Sequence, residues 1–143
     1  MGILSIKEIT VKKLDRIETY GGDVLHVMKS NDAEFAGFGE AYFSSIECDV
    51  IKAWKRHKNM TMNLVVPQGN VMFVFHKEGE EFRVEKIGDA NYARITVPPG
   101  IWFGFKGLNS PNSLVLNIAN VQHSDDEEDR GSIDHFAYPW FEL

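Results

Sequence analysis

The residues best suited to chemistry stand together in Lys52-Ala53-Trp54-Lys55-Arg56-His57-Lys58, where four cations and one imidazole follow the apolar pair Val50-Ile51. A histidine titrates near neutrality, and a lysine two residues away is a like charge that lowers its pKa and favours the free base. His57 and Lys55 are therefore candidates to remove and return protons. If the segment is a strand, Ala53, Lys55 and His57 share one face, and Lys52, Trp54 and Arg56 share the other. Lys52 and Arg56 suit charge-assisted bonds to phosphate oxygens. Strict alternation keeps them off the His57 face unless a twist or bulge intervenes. The plain alternative is a solvated sheet edge, where lysines discourage edge pairing.

His123 is the second candidate, ending the apolar run Leu114 to Val121 just before the acids Asp125 to Asp129. At the mouth of a barrel it would oppose His57; otherwise it caps or pairs with Asp125 or Asp126. Trp54, Trp102, Phe103 and Phe105 offer faces for stacking on a nucleobase or sugar. In a barrel such rings are more often core, the reading favoured for the two phenylalanines, while Trp54 and Trp102 stay open. The five histidines, His26, His57, His76, His123 and His135, are isolated in sequence, without His-x-His or His-x3-His spacing. No metal and no other cofactor is expected.

The elements that must position these groups are strands. Short segments rich in Val, Ile, Phe and Tyr recur every eight to twelve residues between Gly, Pro and Asn, the pattern of an all-β sandwich or barrel. Strands are expected at Asp23 to Lys29, Ala41 to Ile46, Glu81 to Ile87, Ala93 to Val97 and Ser113 to Val121. Asn63-Leu64-Val65-Val66 and Val71-Met72-Phe73-Val74-Phe75 flank Pro67-Gln68-Gly69-Asn70, which reads as the turn of a hairpin. Asp125 to Arg130 reads either as one helical turn with Ser124 as N-cap or as a solvated loop.

With 143 residues and no composition break, the chain fits one domain, 1-143. That length buries roughly two thirds of the surface exposed when unfolded. Cys48 is the one cysteine, so no internal disulfide staples the fold. The first residues, MGILSIKEIT, lack the basic start and apolar run of a secretory signal, which makes the cytoplasm the expected compartment. No stretch approaches the ~18 apolar residues of a membrane span. A net charge of −6 offers no general attraction to nucleic acid or anionic lipid. It does not forbid an anionic small ligand in a locally basic pocket.

Three segments carry a resemblance: Ile51 to Lys58, Leu64 to Val71, and Thr96-Val97-Pro98-Pro99-Gly100-Ile101-Trp102-Phe103-Gly104-Phe105. Their order resembles that of the dTDP-4-dehydrorhamnose 3,5-epimerases and the sugar-nucleotide 3,4-ketoisomerases of the cupin superfamily, over roughly Phe38 to Trp140. The resemblance implies a cupin-type jelly-roll β-barrel, paired as a homodimer in which Ser5 to Thr19 forms an interface element. It implies an isomerase without a metal, moving protons on a 4-keto-deoxy sugar nucleotide in surface-polysaccharide biosynthesis. The alternative is a non-catalytic cupin binding a sugar nucleotide or glycan in the same pathway. Matched residue by residue, Lys52 stands for a substrate-binding Arg and Lys55 for the catalytic His. His57 matches the second His of the ketoisomerase pattern, Asn63 falls near an active-site Lys, Phe103 replaces the His of a His-Gly-Phe segment, and His123 falls where a catalytic Tyr would stand. The implied roles are His57 as base, His123 as opposing acid and Lys55 as the cation facing an enolate oxygen. Lys52, Arg56, Asn63, Trp54 and Trp102 would bind substrate.

Overall fold

The computed structural model describes residues 4–142; Met1–Ile3 and Leu143 of the expected domain lie outside the described residues. The chain is mostly β, as the alternating apolar pattern requires. In chain order the strands are β1 (Thr10–Lys13), β2 (Arg16–Ile17), β3 (Val24–Leu25), β4 (Glu40–Glu47), β5 (Ile51–His57) and β6 (Met62–Gln68). They continue with β7 (Asn70–His76), β8 (Arg83–Gly88), β9 (Ala93–Val97), β10 (Trp102–Gly107), β11 (Asn112–Ala119) and β12 (Glu128–Arg130).

Ten strands form two five-stranded sheets, ordered β1-β9-β6-β11-β4 and β12-β5-β10-β7-β8, while β2 and β3 pair separately. Every pairing between strands is antiparallel. The main core includes Met62, Leu64, Ile95, Val97 and Val115 from the first sheet and Val71, Phe73, Phe75 and Phe103 from the second. Burying such side chains contributes about 1.5–3 kcal/mol each. On β11, burial alternates strictly through Ser113, Val115, Asn117 and Ala119.

The expected hairpin around Gly69 is a corner instead. Its strands, β6 and β7, belong to different sheets and do not pair. Five consecutive residues of each are buried, and Gly69, at φ 81°, turns the chain between layers. The expected strand Asp23 to Lys29 contracts to Val24–Leu25. The stretch that follows crosses the outer face of the first sheet, pinned by Arg94, whose guanidinium donates to the Val27 carbonyl (2.6 Å), Asp32 (3.2 Å) and Glu34 (2.7 Å).

A second apolar cluster sits on the outer face of the second sheet. Trp54, Met72, Val74, Trp102 and Trp140 are buried there beneath Ile133, Phe136 and Tyr138. The C-terminal segment thus straps across the back of β5, β10 and β7, which gives its aromatic residues a structural account.

Candidate active site

Between the sheets a cavity of about 410 Å³ opens at one edge. Tyr42, Ser44, Met62, Leu64, Val115 and Asn117 line it from the first sheet. Lys52, Lys55, His57, Phe73, Phe103, Phe105, Arg130 and Gly131 line it from the second. The floor is apolar and the polar groups gather toward the β4, β5 and β12 side.

Strand β5 contributes the basic face through a break in its own alternation. Phe103 pairs with Lys55 and Gly104 with Ala53, so Trp54 is an extra residue opposite β10. Such a bulge switches the faces upstream of it. Lys52 consequently joins Lys55 and His57 along the cavity, while the Trp54 indole turns outward and donates to the Ile133 carbonyl (3.2 Å). Gly104 allows the close approach, because a Cβ there would stand 2.6 Å from that of Ala53.

The acidic run Asp125 to Asp129 lies along the basic run of β5. A 3₁₀ turn at Asp125–Glu127, with Ser124 at its N-cap position but no side-chain cap bond, leads into β12. Glu128 then pairs with His57, Asp129 with Arg56, and Arg130 with Lys55. Parity sorts the charges. On the cavity side, Lys55 Nζ lies 3.3 Å from Glu128 Oε2, and Arg130 Nε donates to Glu128 Oε1 at 2.7 Å. On the outside, Arg56 donates to Asp129 at 2.9 Å and stacks over Trp102, 4.7 Å from the ring centre.

His57 is 3% exposed and stacks on Phe103, with 5.9 Å between ring centres. Its Nδ1 is buried without a hydrogen-bond partner, 3.9 Å from Glu127 Oε1. The nitrogen left for a ligand is Nε2. Burial, and next the Lys55 charge, push the His57 pKa below its ordinary value, against the opposing pull of Glu128 and Glu127. The imidazole is held as a free base at neutral pH. Burial tends to raise the Glu127 carboxyl, but the Asn59 and Met60 backbone N–H groups, each donating at 2.7 Å, overcome it and keep Glu127 ionised. For Glu128, burial is likewise outweighed by Arg130 and Lys55.

Several expected site residues lie elsewhere. His123 is not in the cavity lining: its imidazole is 40% exposed, with Nδ1 3.7 Å from Glu128 rather than from Asp125 or Asp126, and its backbone N–H donates to Glu40. Arg56 and Trp102 are on the outer face of the second sheet because they follow and oppose it in regular alternation. Asn63 faces outward from the first sheet, donating to the Glu34 carbonyl and accepting from Thr96. Trp54 borders the cavity, but its ring is committed to the outer cluster. Phe103 and Phe105 pack in or against the main core.

Sequence reasoning missed Tyr42, Asn117, Glu127, Glu128 and Arg130. The two runs of opposite charge, Lys52 to Lys58 and Asp125 to Arg130, were the signal for the last three, since complementary strings invite pairing. Among the described residues, no group of three or more His, Cys, Asp or Glu is placed to hold a metal ion. No helix among them is long and apolar enough to cross a membrane.

No family model matches the sequence. The chain is 25% identical over 136 residues to the probable low-salt glycan biosynthesis epimerase Agl13 of Haloferax volcanii, covering 88% of this chain and 87% of that one. Its fold superposes on a dTDP-sugar isomerase from Desulfovibrio desulfuricans G20 with a TM-score of 0.89 and 30% identity, over 94% of this chain and 91% of that one. A dTDP-4-dehydrorhamnose 3,5-epimerase from Sulfolobus tokodaii shares the fold at a TM-score of 0.80 and 19% identity, over 96% and 84% of the two chains.

Proposed function

We propose, on the premise that this chain belongs to the dTDP-sugar isomerases and epimerases of the cupin superfamily, that it epimerises or isomerises a 4-keto-deoxy sugar nucleotide in glycan or surface-polysaccharide biosynthesis. The observation that carries this reading is His57, a buried imidazole kept neutral in the wall of an open cavity whose rim is basic.

In such a sugar the C4 carbonyl acidifies the adjacent C–H. His57 Nε2 takes that proton, the C–H electron pair moves onto the carbonyl oxygen, and an enolate forms. The imidazolium produced faces Glu127 across 3.9 Å. Lys55 supplies the fixed positive charge toward the developing oxyanion, an arrangement that often provides a large share of transition-state stabilisation. Lys52 and Arg130, also along the cavity, suit the diphosphate. The apolar floor of Leu64, Phe73 and Val115 suits the deoxygenated carbon. A homodimer belongs to the same reading, with β1 presenting a free edge of the first sheet for a partner chain.

The test is solvent deuterium incorporation, followed by NMR, into dTDP-, UDP- and GDP-linked 4-keto-6-deoxyhexoses. Exchange beside the carbonyl that disappears in His57→Ala is the expected result. Binding of these compounds without exchange in any of them would replace the enzyme with a binding module.

A further inference from the structure

Three groups able to carry positive charge converge on Glu128, whose side chain is only 2% exposed. Arg130, two residues along β12, holds Oε1: its Nε donates at 2.7 Å and its Nη2 donates to the same oxygen. The other oxygen, Oε2, is buried without a formed hydrogen bond, 3.3 Å from Lys55 Nζ and 3.7 Å from His123 Nδ1. The three are not held alike. Arg130 is 69% exposed and also lines the cavity. An ion pair with so exposed a member is exchanged at little cost, and a guanidinium fork matches phosphate oxygens. His123 stands behind the wall, outside the cavity lining. The charged groups around it are Asp125 and Asp126 on its own segment, and Glu40 of β4, whose carboxylate accepts the His123 backbone N–H. Glu128 and Arg130 of β12 and Lys55 and His57 of β5 complete the set. Of the carboxylates, Glu128 is the one in ion-pair reach of its ring.

We infer that His123 is the reserve cation of Glu128: when the diphosphate of a nucleotide sugar draws Arg130 away, His123 takes up a proton and replaces it at the carboxylate. The inference rests on the sugar-nucleotide reading above and adds how the charges rearrange when the ligand arrives. A buried carboxylate that loses one cation must find another or lose stability. If Lys55 alone remained, Glu128 would draw its ammonium back from the cavity, where the charge is needed beside the developing oxyanion. The imidazolium of His123 removes that demand. Its proton comes from solvent and returns there when the ligand leaves, and no bond of the sugar is made or broken by it. His123 is a positioning residue in this account, acting on Lys55 through Glu128.

The experiment counts protons. dTDP-, UDP- and GDP-glucose are diphosphate diesters without a phosphate proton that titrates near neutrality, so a proton gained on binding belongs to the protein. Calorimetric titrations at pH 7.5, in buffers of different ionisation enthalpy, give that number for whichever of the three binds tightest. The unmodified protein is expected to take up about half a proton or more per ligand bound, and His123→Gln close to none. A residue with only a structural part would leave the count unchanged. The His123 side chain is 40% exposed, so its replacement spares the core, and Tm confirms that the variant is folded. Glu128→Gln, which removes the carboxylate, should abolish the uptake as well; because Glu128 is buried, the His123 variant decides if this one unfolds. Binding without proton uptake in the unmodified protein overturns the inference and leaves the sugar-nucleotide reading standing. Uptake that survives in His123→Gln does the same, and its loss in His57→Gln would assign the proton to the base instead. Absence of binding by all three sugar nucleotides overturns both.

Discussion

Replacing Glu127 with Gln removes one negative charge from beside His57 while keeping an oxygen to accept the Asn59 and Met60 N–H groups. Glu127 Oε1 lies 3.9 Å from Nδ1, and both groups are buried. Two unit charges at that separation interact by about 4 kcal/mol at an effective dielectric constant of about 20. At about 1.4 kcal/mol per pK unit, that caps the effect at about 3 units. Glu128 remains nearby and the site relaxes, so we expect the His57 pKa, already below its ordinary value, to fall by a further one to two units or so. The sign is fixed, because losing an anion disfavours the imidazolium. Histidine resonances followed by NMR across pH give the shift directly, and turnover should drop by roughly 10-fold or more as the base weakens. Exchanging charge-assisted bonds for neutral ones costs about 1–2 kcal/mol, a fall of about 3–8 °C in Tm. A His57 pKa that stays put or rises in Glu127→Gln would refute the reasoning, whatever happens to stability.

Three further expectations concern acid and the outer face of the first sheet. Because the His57 pKa is lowered, kcat/KM should hold at neutral pH and fall only as pH drops through a value below about 6.5; an acid limb lying above 6.5 would sink this. Stability should follow the same direction. The unfolded chain binds protons at His57 from about 6.5 downward and at Glu127 and Glu128 from about 4.5 downward, before the folded state does, so urea midpoints should decline as pH falls through those ranges. Arg94→Met leaves Asp32 and Glu34, both in partial contact with solvent, without their buried cation and should lower the urea midpoint, with much of the loss recovered when Asp32→Asn and Glu34→Gln are added. An unchanged midpoint would show the three groups to be solvated.

Alternation in the sequence was enough to place β9 at Ala93–Val97 and to locate β4 and β11 within two residues of their ends. It was not enough at Gly69, where a turn between two apolar strands looks the same whether they pair or pass to opposite sheets. That choice is made by the rest of the molecule, through the neighbours β9 and β11 of one strand and β8 and β10 of the other. The basic cluster of β5 was visible as composition, but the face of Lys52 depended on one extra residue at Trp54, an event in the pairing with β10 that leaves no mark in local pattern. The acids at Glu127 and Glu128 resembled a solvated loop because their partners are about seventy residues away along the chain. Tyr42 was readable as part of a strand; its place beside Asn117 comes only from the pairing of β4 with β11.

The outer aromatic cluster has an experimental consequence. It gathers all three tryptophans of the chain, Trp54, Trp102 and Trp140, into one dry environment, with ring centres of Trp54 and Trp140 5.5 Å apart. Trp54 is also the bulged residue, with Ala53 and Lys55 on the cavity wall to either side. The chain therefore carries its own optical reporter, an indole chromophore on the far side of the cavity wall. Its emission can be followed in titrations without attaching a dye to any residue that lines the cavity.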